Sequence, residues 1–297
     1  MNLFAIIIGL LIDVYYTQAR ALRNYGWFMR LSGWVGDQVN ENKLLDGPLG
    51  VLLVIAPVVL GVAMVYALLL HALLVLGLIF AIIVLVYCLG PMRLNPQVEA
   101  YIEARGRDDP QAIRAAAAEI VTGEPSGDLQ ALDKAVVQGI LTEVNARVLA
   151  VIFWFFILGP VGAVLYRFSH LLIKDPARER GFGTGFTDAA LRLHGILAWL
   201  PARLTAWAYA LMGSFSQARY RWQMRAFDWA DNWVAGNDGV LIASGTGALE
   251  LSDASEGEQA EGAGAYTLDA VKDALRMVVR TTWLWLAIIF LLALAGG

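Results

Sequence analysis

The sequence predicts an all-α, polytopic membrane protein, a helical bundle with a small helical part outside the lipid. Three observations point there. Of its 297 residues 58% are hydrophobic, and only 16% are charged, against about a quarter in a soluble domain. Residues 51–89 hold no charge at all. Two further apolar runs, 148–166 and 278–294, are each flanked by polar sequence. A crossing needs about 20 apolar residues. Residues 51–89 therefore fit two crossings with a turn near His71. With 148–166 and 278–294 they make four. Residues 1–16 and 193–212 are marginal. The first is short. It lacks a basic start and a small-residue cleavage site, so it reads as retained. The second is apolar but holds His194, Pro201 and Arg203, and ionisable groups at membrane depth face protein or water.

The remaining elements follow in order. Asn95-Pro96 and Asp109-Pro110 are helix-start signals, predicting helices over 96–104 and 110–121. Asp128 caps a third helix. Leu129, Leu132, Val136, Ile140 and Val144 recur on one face at helical spacing, and this helix runs on into the crossing at Val148. Residues 93–147 thus read as an extramembrane helical insertion within one membrane domain, 1–297. A loop at 181–186 leads to a helix capped at Thr187. Phe215, Trp222, Ala226, Trp229 and Trp233 share a narrow arc, as in a helix lying at the interface or packed on the subdomain. Residues 236–264, rich in Gly, Ser and Glu, read as a flexible loop. Lys and Arg are shared evenly between the candidate sides, so orientation stays open.

Composition also excludes functions. The net charge is −4, which argues against nucleic acid as partner. One cysteine and three scattered histidines give no metal site. The glycine strings at 181–186 and 244–249 lack the Lys-Ser/Thr of a phosphate loop, and no hydrolase, zinc-protease or kinase motif is present.

The polar residues near the apolar helices are the candidate site. Gly159-Pro160-Val161-Gly162 interrupts the third crossing. Proline deletes a helix hydrogen bond and kinks the chain, and lipid tolerates this only where protein or water satisfies the freed carbonyl. The reading is a structural kink at Gly159, Pro160 and Gly162, with Gly159 and Ala163 spaced for close helix approach. The kink would open a cavity beside Tyr166, Arg167 and His170. Tyr166 and His170 are four apart and share a face. Glu143 and Arg147 are spaced for an ion pair, read as a surface pair, with Asn145 between them. Arg192, His194 and Arg203 lie on the neighbouring helix. Glu143, Asn145, Tyr166, Arg167, His170, Arg192, His194 and Arg203 are the candidate ligand-binding residues. Their arginines suit an anionic small molecule; a membrane-protein partner is the alternative occupant, besides the lipid itself.

Two strings carry a family resemblance: "FWFFILGPVGAVLYR" at 153–167 and "RLHGILAWLPARLTAW" at 192–207. Together they resemble the AmpE family of inner-membrane proteins, linked to regulation of β-lactamase expression and related to the CobD/CbiB cobalamin-biosynthesis enzymes. The latter attach an aminopropanol-type linker in making adenosylcobinamide phosphate. They are similar to one another in an Arg-Leu-Asp-Asp that reads Arg192-Leu193-His194-Gly195 here. Their Ala-Glu-Asn-x-x-Asp is reduced to Thr142-Glu143-Val144-Asn145-Ala146-Arg147. Mg²⁺ favours carboxylate ligands, and the loss of these acids points to the AmpE branch. That branch implies a multi-pass protein of the bacterial inner (cytoplasmic) membrane with a regulatory or sensory role in cell-wall stress, no cofactor, and no enzymatic activity. The synthase alternative implies an amide ligase using ATP and Mg²⁺. A third alternative is a scaffold that binds another membrane protein through the aromatic helix.

Overall fold

The computed structural model describes residues 2–15, 24–41, 45–89, 94–121, 128–174, 183–225, 233–252 and 264–295. These are helical almost throughout, and among them there is no strand beyond a single parallel bridge, Leu251 to Gly264. The chain divides into two compact units, Met1–Met92 with Ala150–Trp199 and Arg93–Leu149 with Leu200–Gly297.

The first unit begins with α1 (Asn2–Tyr15), α2 (Gly26–Glu41), α3 (Pro48–Ala72) and α4 (Leu74–Cys88). The chain turns between α3 and α4 at Leu73, where the backbone is extended, beside His71 as the sequence suggests. The unit is completed by α8 (Ala150–Leu158), α9 (Pro160–Lys174) and the first half of α10 (Thr184–Met212). Helix α1 packs on α4 and α8, and α9 packs on α3, α4 and α8.

Gly159-Pro160 is not a kink within one crossing. Gly159 sits at φ +64, a conformation glycine adopts without steric cost, and the chain reverses there. A Cβ added at Gly162 would come within 2.3 Å of the Trp154 carbonyl oxygen, eight residues back. In a continuous helix those positions are about 12 Å apart along the axis. Gly162, rather than the Gly159–Ala163 pair, is thus where α9 presses on α8. Pro160 has no N–H for the Phe156 carbonyl. That carbonyl accepts instead from Asn2 Nδ2 at 3.1 Å. The sequence argument that a freed carbonyl needs a protein donor holds, and the donor comes from α1.

The second unit contains α5 (Leu94–Arg107), α6 (Pro110–Ala118) and α7 (Leu129–Val144), then the second half of α10 followed by α11 (Phe215–Arg225), α12 (Trp233–Ala248) and α13 (Leu268–Ala295). Asp109 and Asp128 cap α6 and α7 through their carboxylates. Of the face foreseen on α7, Leu132, Val136, Ile140 and Val144 are buried, while Leu129 is exposed. A π-turn, Asn145–Leu149, joins α7 to α8. Residues 93–147 do not stand apart as an insertion. They form one compact unit with residues 200–297, with α7 against α12 and α13.

Among the described residues three helical stretches are long and apolar enough to cross a membrane: Pro48–Ala72, Leu129–Leu158 and Leu268–Leu292. Asn2–Asp13 and Leu74–Cys88 are apolar but shorter. The stretch at 148–166 is not a crossing of its own, because the reversal at Gly159 ends it. The sequence from Val278 onward belongs to the last of the three.

Two other expectations change. Residues 236–264 are not loop from their start, since Gly236 to Ala248 lie in α12; small residues let this helix pack closely, as Gly247 does on Ala218. The rest, 253–263, lies outside the described residues. The aromatic helix at 215–233 is described only to Arg225 in α11, so Ala226 and Trp229 lie outside too. Phe215 and Trp222 both meet the Trp207 ring, tilted and edge-on respectively, with ring centroids 5.8 and 5.6 Å away.

Candidate functional site

In the first unit α9 carries a polar face that is almost wholly buried. Tyr166, Arg167, Ser169 and His170 are each at most 7% exposed, and His194, on α10, is 4% exposed. The four-residue spacing of Tyr166 and His170 brings both rings to His194, with centroids 5.2 and 5.0 Å away.

A hydrogen-bond chain assigns the proton positions. The Ser169 hydroxyl donates to the Tyr166 carbonyl at 2.7 Å. Having spent its proton, Ser169 Oγ accepts from His194 Nδ1 at 3.1 Å. Burial, with Lys174 and Arg167 adding to it, holds His194 well below the usual imidazole range. It is therefore neutral, and its Nε2 carries the lone pair. That nitrogen lies 3.4 Å from His170 Nδ1, which donates to it. His170 in this tautomer has its own lone pair on Nε2, the form that accepts a proton.

Arg167 is different. Its guanidinium lies over the Tyr25 ring at 5.2 Å. Among the described residues its buried Nε has no hydrogen-bond partner.

Glu143, Asn145 and Arg203 belong to the second unit. Glu143 pairs with Arg147 Nε, but not at the surface: the side chains are 6% and 14% exposed. Arg147 also reaches Gln97 at 3.1 Å. Asn145 opens the π-turn and accepts from Thr205 at 3.0 Å, while Arg203 donates to Asn237 at 2.9 Å. Burial holds the Arg203 guanidinium below its ordinary range. Arg192 is exposed on α10. Of the arginines expected around one anion, Arg167 is buried over Tyr25 and Arg192 is exposed within the first unit, and Arg203 binds Asn237 within the second.

Several buried polar residues carry no motif in the sequence. Asp133, 1% exposed, accepts from Tyr101 at 2.7 Å and from both Nε and Nη2 of Arg105, at 3.2 and 2.8 Å. Burial and this carboxylate push the Tyr101 hydroxyl above its ordinary value. The only advance signal was the i, i+4 spacing of Tyr101 and Arg105. The glycine string at 181–186 also finds its reason. Asp46 accepts from the Phe186 amide at 2.7 Å and caps α10 from a distance, so Thr187 is not the cap. A Cβ on Gly183 or Gly185 would strike Asp46. The string houses a carboxylate at a helix N-terminus and not a phosphate.

The positions that read Asp-Asp in the resembling synthases are His194 and Gly195. Among the described residues no group of three His, Cys, Asp or Glu is placed to hold a metal ion.

The family described as "CobD/Cbib protein" matches residues 6–260. Cobalamin biosynthesis protein CobD of Chromobacterium violaceum is 31% identical over 236 residues, covering 75% of this chain and 73% of that protein. Cobalamin biosynthesis protein CobD of Stutzerimonas stutzeri is 31% identical over 175 residues, covering 59% of this chain and 56% of that one. No solved structure matches. These findings overturn the expected regulatory role in β-lactamase expression, since the relatives carry a biosynthetic name. The substitution at His194-Gly195, which favoured the AmpE branch, was the wrong discriminator: two missing carboxylates weigh less than similarity across most of the chain. By the extent of that match, the chain belongs to the CobD/CbiB family.

Proposed function

We propose that this protein is a membrane enzyme of cobalamin biosynthesis that joins a linker amine to a corrinoid carboxylic acid, at the bacterial inner membrane. One observation carries the reading: the family match over residues 6–260, with two relatives named for cobalamin biosynthesis.

The chemistry of the first unit supports it in part. An attacking amine must lose a proton as the amide forms, and a neutral imidazole is the usual acceptor. His170 is held in the tautomer with its lone pair on Nε2 by His194 and, behind it, Ser169. Nucleotide and Mg²⁺ would activate the acid in a synthase. The described residues do not fit a carboxylate-held Mg²⁺, because His194 and Gly195 stand where the acids would and the charges acting on His194, those of Lys174 and Arg167, are positive. No step is assigned to the metal here.

The test is complementation. A bacterium lacking its own CobD/CbiB enzyme, grown where growth depends on cobalamin, should recover when it expresses this chain. Cobinamide already carries the linker and bypasses the step. Growth that still requires cobinamide, with the protein present in the membrane, refutes the reading.

A further inference from the structure

We propose that Arg167 anchors an oxyanion, a phosphoryl or carboxylate oxygen of a substrate, through its buried Nε–H. The assignment deepens the proposed amide-forming role, and it rests on that role only for which substrate carries the anion.

The argument begins with burial. Arg167 is 7% exposed, and its Nε is without an acceptor among the described residues. Taking a guanidinium out of water costs several kcal/mol. The Tyr25 ring at 5.2 Å returns about 0.5–2 kcal/mol, which does not cover it. The nearby hydroxyls spend their protons on main-chain carbonyls. Tyr25 donates to Tyr87 O at 2.6 Å, Tyr87 to Asn24 O at 3.1 Å and Ser169 to Tyr166 O at 2.7 Å. The charges felt at His194 are those of Lys174 and Arg167, both positive. A buried cation with no ion-pair partner among the described residues, one turn before His170 on the same helix, is the arrangement that an anionic substrate completes. A guanidinium to oxyanion bond is charge-assisted and roughly twice as strong as a neutral one.

The second unit gives the contrast. There, among the described residues, the stranded polar atom is the Thr281 hydroxyl, which is neutral, and the buried carboxylates Asp133 and Glu143 already hold their arginines.

The experiment uses the full chain in detergent or nanodiscs. Thermal unfolding is followed with inorganic phosphate, acetate or chloride at matched ionic strength, on wild type, Arg167→Gln and Arg167→Lys. Wild type should gain several degrees with phosphate or acetate over chloride. A shift with phosphate alone assigns a phosphoryl group, and one with acetate alone a carboxylate. Arg167→Gln should lose the shift. Arg167→Lys, which keeps charge but not the Nε–H, should need at least tenfold more anion. An equal shift in Arg167→Gln, or none above chloride in wild type, overturns the proposal. So does failure of both variants to fold, because a cation reserved for a ligand is dispensable to the fold. Complementation by wild type reads the biosynthetic role independently. Rescue without any anion effect removes this site alone, and an anion effect without rescue removes the enzymatic reading alone.

Discussion

The two units bury charge in opposite ways. In the second, every buried acid named above meets its cation: Asp133 holds Arg105 and Tyr101, and Glu143 holds Arg147, which Gln97 supports. Other polar residues of this unit follow suit, with Asn145 on Thr205 and Arg203 on Asn237. In the first, the buried polar face of α9 with His194 is cationic or neutral, a relay of Ser169, His194 and His170 beside an arginine that faces a ring, and the buried acid of that unit, Asp13, lies on α1. A closed network satisfies itself and serves architecture. An open one carries a standing cost that only a ligand offsets. The candidate site is thus marked less by which polar residues are buried than by which are left incomplete.

The strongest way to break this contrast is to open the closed network. Asp133→Ala strands Arg105 and Tyr101 together. Removing one partner of a buried pair costs about 3–5 kcal/mol, so folded yield and melting temperature should collapse. The double variant Arg105→Met with Asp133→Leu should recover much of the loss, since it removes both charges. A mild effect of Asp133→Ala would mean that the second unit is no more closed than the first.

Two smaller effects address the scaffold that presents α9. Gly162→Ala drives a methyl into the Trp154 carbonyl; such overpacking costs about 1–3 kcal/mol, and here the obstacle is backbone. Asn2→Leu leaves the Phe156 carbonyl without its amide donor and should cost about 1–3 kcal/mol as a buried acceptor goes unsatisfied. Both are read by thermal unfolding. If either variant is as stable as wild type, the reversal at Gly159 does not depend on that contact.

Much of the fold was legible in advance. The helical class, the turn beside His71 and the Asp109 and Asp128 caps follow from apolar run length and capping chemistry, which are local. The reversal at Gly159-Pro160 was visible as a break but not as a turn-back, because a proline signal fixes where a helix is interrupted and not the angle that follows. Asn2 and Asp46 serve backbone groups about 150 and 140 residues away in sequence. No local pattern encodes such a pairing. Of the site, the spacing of Tyr166 and His170 was informative, since i, i+4 fixes a shared face. Sequence proximity to a polar cluster does not say which face of α10 a residue occupies, so that Arg192 is exposed while His194, two residues on, is buried could not be read in advance.

His194 gives a pH signature confined to the first unit. Its folded value lies below that of a free imidazole, chiefly through burial, so below about pH 6.5 the unfolded chain takes up a proton that the folded one refuses. Stability is full above that pH and falls as pH drops, by at most about 1.4 kcal/mol per pH unit for one proton. His170, Lys174 and Arg167 face the same ring cluster or act on it. The quantity to measure is therefore the difference between wild type and His194→Gln from pH 6.5 to 5. A flat difference means that folded His194 takes up a proton as readily as the unfolded chain does, and the tautomer assigned to His170 falls with it.

The smallest expected effect has the opposite sign and discriminates best between the units. Arg167→Met keeps the length of the stem over Tyr25 while deleting a charge that the described residues do not neutralise. Replacing a poorly compensated buried charge by an apolar side chain of similar volume is often neutral or stabilising. The variant should therefore melt at or slightly above wild type, by up to about 1 kcal/mol once the lost ring contact is subtracted. It should also fail to support cobalamin-dependent growth. Stability gained where function is lost is the usual mark of a site kept open for a ligand. A loss of more than about 2 kcal/mol would show that Arg167 is held as firmly as Arg105 or Arg147. The two units would then bury charge by the same rule.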